Sequence, residues 1–175
     1  TTDIYGIYGS SVKVSATYIV LFIIFGEVMN KCGMGQFFND IANALAGHTR
    51  GGPAKVAVLA SGFLGSINGS AVANVVTTGT FTIPLMKKTG YTKEFAGAVE
   101  ATASVGGQLL PPIMGAAAFV MAETLGVQYG VIIKAAVIPA LIYYLGIIIQ
   151  VQMRAIKDHL VGLPKELMPR AGQVM

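Results

Sequence analysis

The residues best placed to do chemistry are neutral oxygen donors gathered at two interruptions of apolar sequence. The first interruption is Ser66-Ile67-Asn68-Gly69-Ser70, polar and glycine-containing, in the middle of the uncharged run from Ser61 to Met86. The second is Gly106-Gly107-Gln108-Leu109-Leu110-Pro111-Pro112. Glycine and proline at that density cannot sustain regular i to i−4 hydrogen bonding. Asn74, Thr77, Thr78, Thr102 and Ser104 lie close by in sequence. Neutral oxygens hold an alkali cation weakly, as they must if the ion is to leave again. Helix ends at such breaks add to the set. Half-helix N-termini offer N–H groups and partial positive charge to an anion, whereas C-termini and unwound carbonyls suit Na⁺. For any one Ser or Thr the plainer account is helix packing, with the hydroxyl bonded back to the backbone. Two breaks at one depth are costly without a function.

Glu100 is a different kind of candidate. It falls about two turns into an apolar helix, where ionisable groups are rare and usually functional. It either pairs with the Lys87, Lys88 and Lys93 cluster or helps to carry a cation or a proton. Glu27 and Lys31 stand i, i+4 in the favourable order for a helix-end ion pair, with a part in ion conduction as the alternative for Glu27. His48 reads as a loop residue, since no second His, Cys or carboxylate stands at metal-ligand spacing. No Ser/His/Asp constellation and no phosphate loop is present, so nothing points to an enzyme.

Composition sets the class that must position these residues. Hydrophobic residues make up 54% and charged residues 11%, with a mean hydropathy of +0.67. A soluble domain carries roughly 25% charge, so the chain reads as an all-α polytopic membrane protein. The 22 glycines suit close helix packing and broken helices. With no Trp, any interfacial belt must use Tyr. A single cysteine, Cys32, excludes an internal disulfide and any thiol-metal cluster. Basic clusters interleaved with aromatics are missing, so no nucleic acid is expected. Thr-Thr-Asp rather than Met at the start, with no signal-peptide pattern, leads us to expect a piece of a longer polypeptide.

Along the chain, residues 1–10 form a Tyr/Gly-rich lead-in and Val12 to Asn30 a first spanning helix. Gln36 to Ala46 reads as an amphipathic segment lying in the interface, with Phe37, Ile41, Ala44 and Leu45 on its apolar face. Pro53 to Ser66 and Ala71 to Met86 are the arms of a hairpin. Each arm is about 15 residues, or roughly 22 Å of helix. That is short of the about 20 residues a crossing needs, so the hairpin is expected to be re-entrant, with its polar tip near mid-membrane. Backbone without helical bonds is tolerated there only inside protein or beside a wet cavity. A discontinuous helix follows, with halves Lys93 to Val105 and Ile113 to Glu123. Val131 to Val151 spans back, Pro139 is a kink candidate, and residues 152–175 are a polar tail. The count is three crossings, one hairpin, one broken helix and one interfacial helix. The division is 1–52 for a scaffold helix and arm helix, 53–130 for a transport part (hairpin 53–88, broken helix 93–123), and 131–175 for a scaffold helix and tail. Of the 12 Lys and Arg residues, all but Lys13 and Lys134 fall on segments 31–55, 87–94 and 152–175. The positive-inside rule makes that side cytoplasmic.

The runs GFLGSINGSAVANVVTTGTFTIPLMKKTGY and FAGAVEATASVGGQLLPPIMGAAAFVMAE resemble the large membrane subunit of tripartite ATP-independent periplasmic (TRAP) transporters, closest to the fused permeases of the TAXI branch. The resemblance runs from about Tyr8 to Arg154. It implies a Na⁺-driven importer of small organic acids in the bacterial or archaeal inner membrane, working by an elevator movement. The implied partners are a periplasmic substrate-binding protein, a small membrane subunit or fused scaffold segment, and the second inverted repeat of the permease. By position, Ser66, Asn68, Gly69 and Ser70 at the tip and Gly106, Gly107, Pro111 and Pro112 at the break would hold one Na⁺. Asn68, Ser70, Asn74 and Gln108 would line the substrate. Many relatives carry Ser after the double proline where this chain has Ile113, so a hydroxyl role there is in doubt. No Arg fork for a carboxylate is visible. A divalent-anion/sodium symporter and a non-transporting membrane assembly module are the competing readings; the latter expects a dry, fully packed tip.

Overall fold

The computed structural model describes residues 9–160; the start of the lead-in and the tail from residue 161 onward lie outside them. Every regular element among the described residues is helical. The first apolar run becomes α1 (Ser10–Val14), a π-helical turn (Ser15–Ile19) and α2 (Val20–Lys31), with Val14 and Val20 in helical conformation at the joins. Left-handed Gly33 then starts α3 (Met34–Ala46). Gly35, Ala42, Asn43 and Ala46 of α3 are buried, and the helix packs mainly on α4 (Gly52–Asn68). The apolar residues Phe37 and Leu45 point outward. The small and polar face of α3 therefore meets protein and its greasy face is left outside.

α4 and α5 (Ala71–Lys88) form the expected hairpin. Its reversal is tighter than the polar run suggested. Ser66, Ile67 and Asn68 continue α4, because a polar side chain does not break a helix whose backbone bonds persist. The Ser66 hydroxyl bonds back to the Phe63 carbonyl at 2.8 Å. Gly69, at φ 61°, ends α4 by donating its N–H to the Gly65 carbonyl, a left-handed C-cap that glycine adopts without steric cost. Ser70 immediately caps α5, its Oγ accepting from the Ala73 N–H. A C-cap glycine next to an N-cap serine turns the chain in two residues.

The discontinuous helix is α6 (Lys93–Gly106) and α7 (Ala116–Leu125). The second half starts three residues later than expected. Met114 takes φ 60°, a left-handed conformation that interrupts an α-helix, so the second half opens only beyond it; the Ile113 N–H is donated to the Ser66 carbonyl at 3.1 Å. α8 (Tyr129–Lys157) is longer than the expected span and continues through Pro139. Among the described residues, two helical stretches are long and apolar enough to cross a membrane, Val12–Met29 and Tyr129–Lys157.

Helices α4, α5 and α6 pack on one another, with α8 across α4 and α6. Small residues allow this closeness. A Cβ on Gly65 would lie 2.7 Å from the Gly107 Cα, and one on Gly106 would lie 2.5 Å from the Tyr143 ring. The basic ends meet at one end of the molecule. There the Tyr91 hydroxyl donates to the Gly51 carbonyl at 3.4 Å and Arg154 lies over the Phe95 ring. Burial, with the charge of Asp158 adding, pushes the Tyr91 phenol up to about 12, so it stays a donor. At the other end Lys13 pairs with Glu123 at 2.8 Å. The expected Glu27–Lys31 pair does not form; among the described residues the ion pairs are Lys13–Glu123, Lys93–Glu94 and Arg154–Asp158. Glu27 is exposed, and water or lipid headgroups satisfy an exposed helix-end charge as well as a neighbour does.

Gly65→Ala should destabilise the purified protein by about 1–3 kcal/mol through backbone overpacking. Gly97→Ala, with nothing within 4 Å of the new methyl, should be neutral or stabilising by up to about 1 kcal/mol. Thermal unfolding in detergent checks the pair; equal Tm values would contradict the close α4–α6 contact.

Candidate ion and substrate site

The hairpin tip and the helix break are joined. The Ile113 N–H donates to the Ser66 carbonyl, and Gly69 lies so close to the Met114 carbonyl that a side chain there would strike it. Within the break the Gly115 N–H donates to the Gln108 carbonyl at 2.8 Å. Tyr129, at the start of α8, anchors the far side, its hydroxyl donating to the carbonyls of Pro112 and Ile113. A cavity of about 250 Å³ lies against this junction. Asn68, Gly69 and Ser70 line it from the tip, Gln108, Ile113 and Met114 from the break, and Ile19, Phe22 and Ile23 from the first helix. Asn68 Oδ1 accepts from the Ser70 N–H at 3.0 Å, which fixes the amide at the reversal.

The other site candidates stand elsewhere. Gly106 and Gly107 form the close contacts with Tyr143 and Gly65. Pro111 is half-buried and Pro112 exposed, and neither faces the cavity. Ser66 contributes its backbone carbonyl, since its hydroxyl is bonded back within α4. Asn74 is fully buried rather than on the cavity wall. Its Nδ2 donates to the Ser61 carbonyl at 2.7 Å and its Oδ1 has no partner. Thr77 and Thr102 bond back to the carbonyls of Ala73 and Ala98, the plain packing role.

Glu100 overturns the lysine pairing. It is fully buried and pairs with none of Lys87, Lys88 and Lys93, which are exposed. Its partners are hydroxyls. Oε1 faces Thr78, Ser61 at 3.1 Å and Ser104 at 3.5 Å; Oε2 faces Thr82 at 2.5 Å. Thr78 and Thr82 belong to α5, Ser61 to α4 and Ser104 to α6. One carboxyl thus gathers side chains from both hairpin arms and the broken helix. A buried carboxyl needs such donors in place of water. Ser61 and Thr82 were not among the sequence candidates. The signal was present as Asn74, Thr78 and Thr82, at i, i+4 and i+8 on one face of α5, but a polar stripe needs a partner to give it meaning.

A helical hairpin and a discontinuous helix are thus joined at their interruptions, in a chain with two helices long and apolar enough to cross a membrane among the described residues. The comparisons make this specific. Residues 5–175 match the family model described as "Tripartite ATP-independent periplasmic transporter, DctM component", and the chain belongs to that family. It is 33% identical over 124 residues to a putative TRAP transporter large permease protein of Haemophilus influenzae, covering 71% of this chain and 29% of that protein. It is 34% identical over 133 residues to the C4-dicarboxylate TRAP transporter large permease protein DctM of Pseudomonas aeruginosa, covering 76% and 30%. The sialic acid TRAP transporter large permease protein SiaM of Vibrio cholerae is 26% identical over 147 residues, covering 84% and 34%. The chain thus spans about a third or less of the curated relatives it matches.

Gly69→Ala should cost about 1–2 kcal/mol for the left-handed backbone and more for the collision with Met114. Gly33→Ala, equally left-handed at φ 86° but with open space around it, should cost the first part alone. Comparing their thermal unfolding isolates the tip–break contact; a smaller loss at Gly69 than at Gly33 would contradict it.

Proposed function

We propose that this chain is one of the two inverted repeats of a TRAP permease that imports small organic acids by Na⁺-coupled, elevator-type alternating access. The observation that carries the reading is the tip–break junction, with its helix termini and neutral donors around a 250 Å³ cavity. Asn68, Ser70 and Gln108 on the wall, with the carbonyls ending α4 and those of the break, are hard neutral oxygens and fit Na⁺. The N-terminus of α5 at Ser70 favours an anionic substrate. A sodium ion would neutralise part of the substrate's charge and tie tip to break while both are occupied. Asn74, with its partnerless buried Oδ1, would hold the tip from behind rather than touch substrate. Relatives named for C4-dicarboxylate and sialic acid support an organic acid. On this reading the partners are a periplasmic binding protein, a small or fused membrane subunit and the second repeat.

The same reading takes 53–130 as the transport part and the α1–α2 run and α8 as scaffold, with α3 lying in the interface on its apolar face. The gathering of Tyr91, Phe95, Arg154 and Gly51 at one end supports a cytoplasmic hairpin base, and the Lys13–Glu123 pair supports an opposite end shared by α1 and α7. A tip against a cavity speaks against the packed assembly module.

The test is uptake of labelled organic acids by the full-length permease in proteoliposomes. Uptake should require both Na⁺ and the binding protein. Ser70→Ala should lower it severalfold, and Gly107→Leu, which forces α4 from α6, should abolish it. Na⁺-driven uptake without binding protein would favour the divalent-anion symporter; uptake indifferent to Na⁺ and to both substitutions would overturn the site.

A further inference from the structure

The hydroxyl cluster around Glu100 has a property that plain packing does not require. Thr78 Oγ1 touches both Glu100 Oε1 and its own i−4 carbonyl, Asn74 O, at 2.8 Å. Thr82 Oγ1 touches both Glu100 Oε2 and the Thr78 carbonyl at 2.9 Å. Each hydroxyl has one proton and two acceptors in reach. With the carboxyl ionised, Thr78, Thr82, Ser61 and Ser104 all donate to it. With a proton added at Oε2, the acid donates to Thr82 and Thr82 turns its own proton to the Thr78 carbonyl. With the proton at Oε1, Thr78 does the same toward Asn74. Both charge states are satisfied by rotating one hydroxyl, with no heavy atom displaced.

We propose that Glu100 is a proton-binding site of the transport cycle, taking up and releasing a proton as the hairpin works against α6. This rests on the transport reading above and adds a second cation to it. Both carboxyl oxygens already stand within hydrogen-bond distance of hydroxyls, Oε1 of Ser61 and Thr78 and Oε2 of Thr82, so a proton can be added there without moving an oxygen. Among the described residues, no ion pair involves Glu100. α4 presents Ser61 to Glu100, α5 presents Thr78, Gly79 and Thr82, and α6 adds Ser104. On α8, Tyr143 and Tyr144 donate their hydroxyls to the carbonyls of Thr102 and Ala103. Ionisation also changes the grip between helices. The ionised form draws donors from α4, α5 and α6 onto one carboxylate; the protonated form returns one threonine to its own helix.

The experiment has two arms on the full-length permease. Infrared difference spectra of the purified protein across a pH titration should show a carboxylic-acid C=O band that Glu100→Gln removes. Thr82→Val deletes the hydroxyl that Oε2 faces, so the frequency of the acid C=O band should move from its wild-type value. In proteoliposomes at fixed Na⁺ gradient and clamped voltage, an inward proton gradient should raise initial uptake severalfold, and Glu100→Gln should lose that response while staying folded by Tm. A titration that Glu100→Gln leaves unchanged, or a Thr82→Val band at the wild-type frequency, would overturn the proposal whatever uptake does. A wild type whose uptake ignores the proton gradient would overturn proton exchange in the cycle, while Na⁺-driven uptake in the same vesicles would leave the transport reading intact.

Discussion

A carboxyl without water must be held by other groups, and Glu100 is held by four hydroxyls from three helices. Leaving a buried hydrogen-bonding group without its partner costs about 1–3 kcal/mol, and more where the group is charged. Three helices in one arrangement are therefore the condition for placing a carboxyl here at all. The hairpin arms are set by it at the Ser61 and Thr78 level. Their two-residue reversal about two turns further on is then fixed in place against α6. The contact of Gly65 with Gly107 and the bond from Ile113 to Ser66 follow from that placement.

This arrangement divides labour among residues that look alike in sequence. The tip hydroxyls and amide meet the cavity, whereas Thr77, Thr102 and the Ser66 side chain close ordinary helix bonds. Gly69 and Ser70 make a reversal that leaves helix ends beside the break. Gly106 and Gly107 contribute by lacking side chains. Pro111 and Pro112 stand in the segment between α6 and α7, away from the cavity wall. The exposed apolar surface of α3, with Phe37 and Leu45 outward, suits a lipid boundary better than water.

Much of this was legible beforehand, for identifiable reasons. Glycine and proline act locally, so the hairpin and the break could be placed from Gly69 and from the Gly106–Pro112 run. The first arm runs past Ser66 because its backbone bonds persist as far as Gly69, and the second half of the broken helix starts beyond Ile113 because Met114 is left-handed. Partners across helices were not legible. Proximity in sequence suggested the lysines for Glu100 and Lys31 for Glu27; the fold instead gave Glu100 the hydroxyls of Ser61, Thr78 and Thr82, 18 to 39 positions away, with Ser104 one turn along, and paired Glu123 with Lys13. A carboxyl inside a bundle is matched by whatever the packing angle brings to it, and the packing angle is not written in any single helix.

Hydrogen–deuterium exchange on the full-length permease in nanodiscs, wild type against Glu100→Ala, tests the central claim most directly. If the carboxyl is what binds the hairpin to the broken helix, amides of α5 from Asn74 to Thr82 and of α6 from Ala96 to Ser104 should lose protection together in the variant. Loss confined to α6, or no loss in either helix, would contradict the account and leave the three helices held by their small-residue contacts alone.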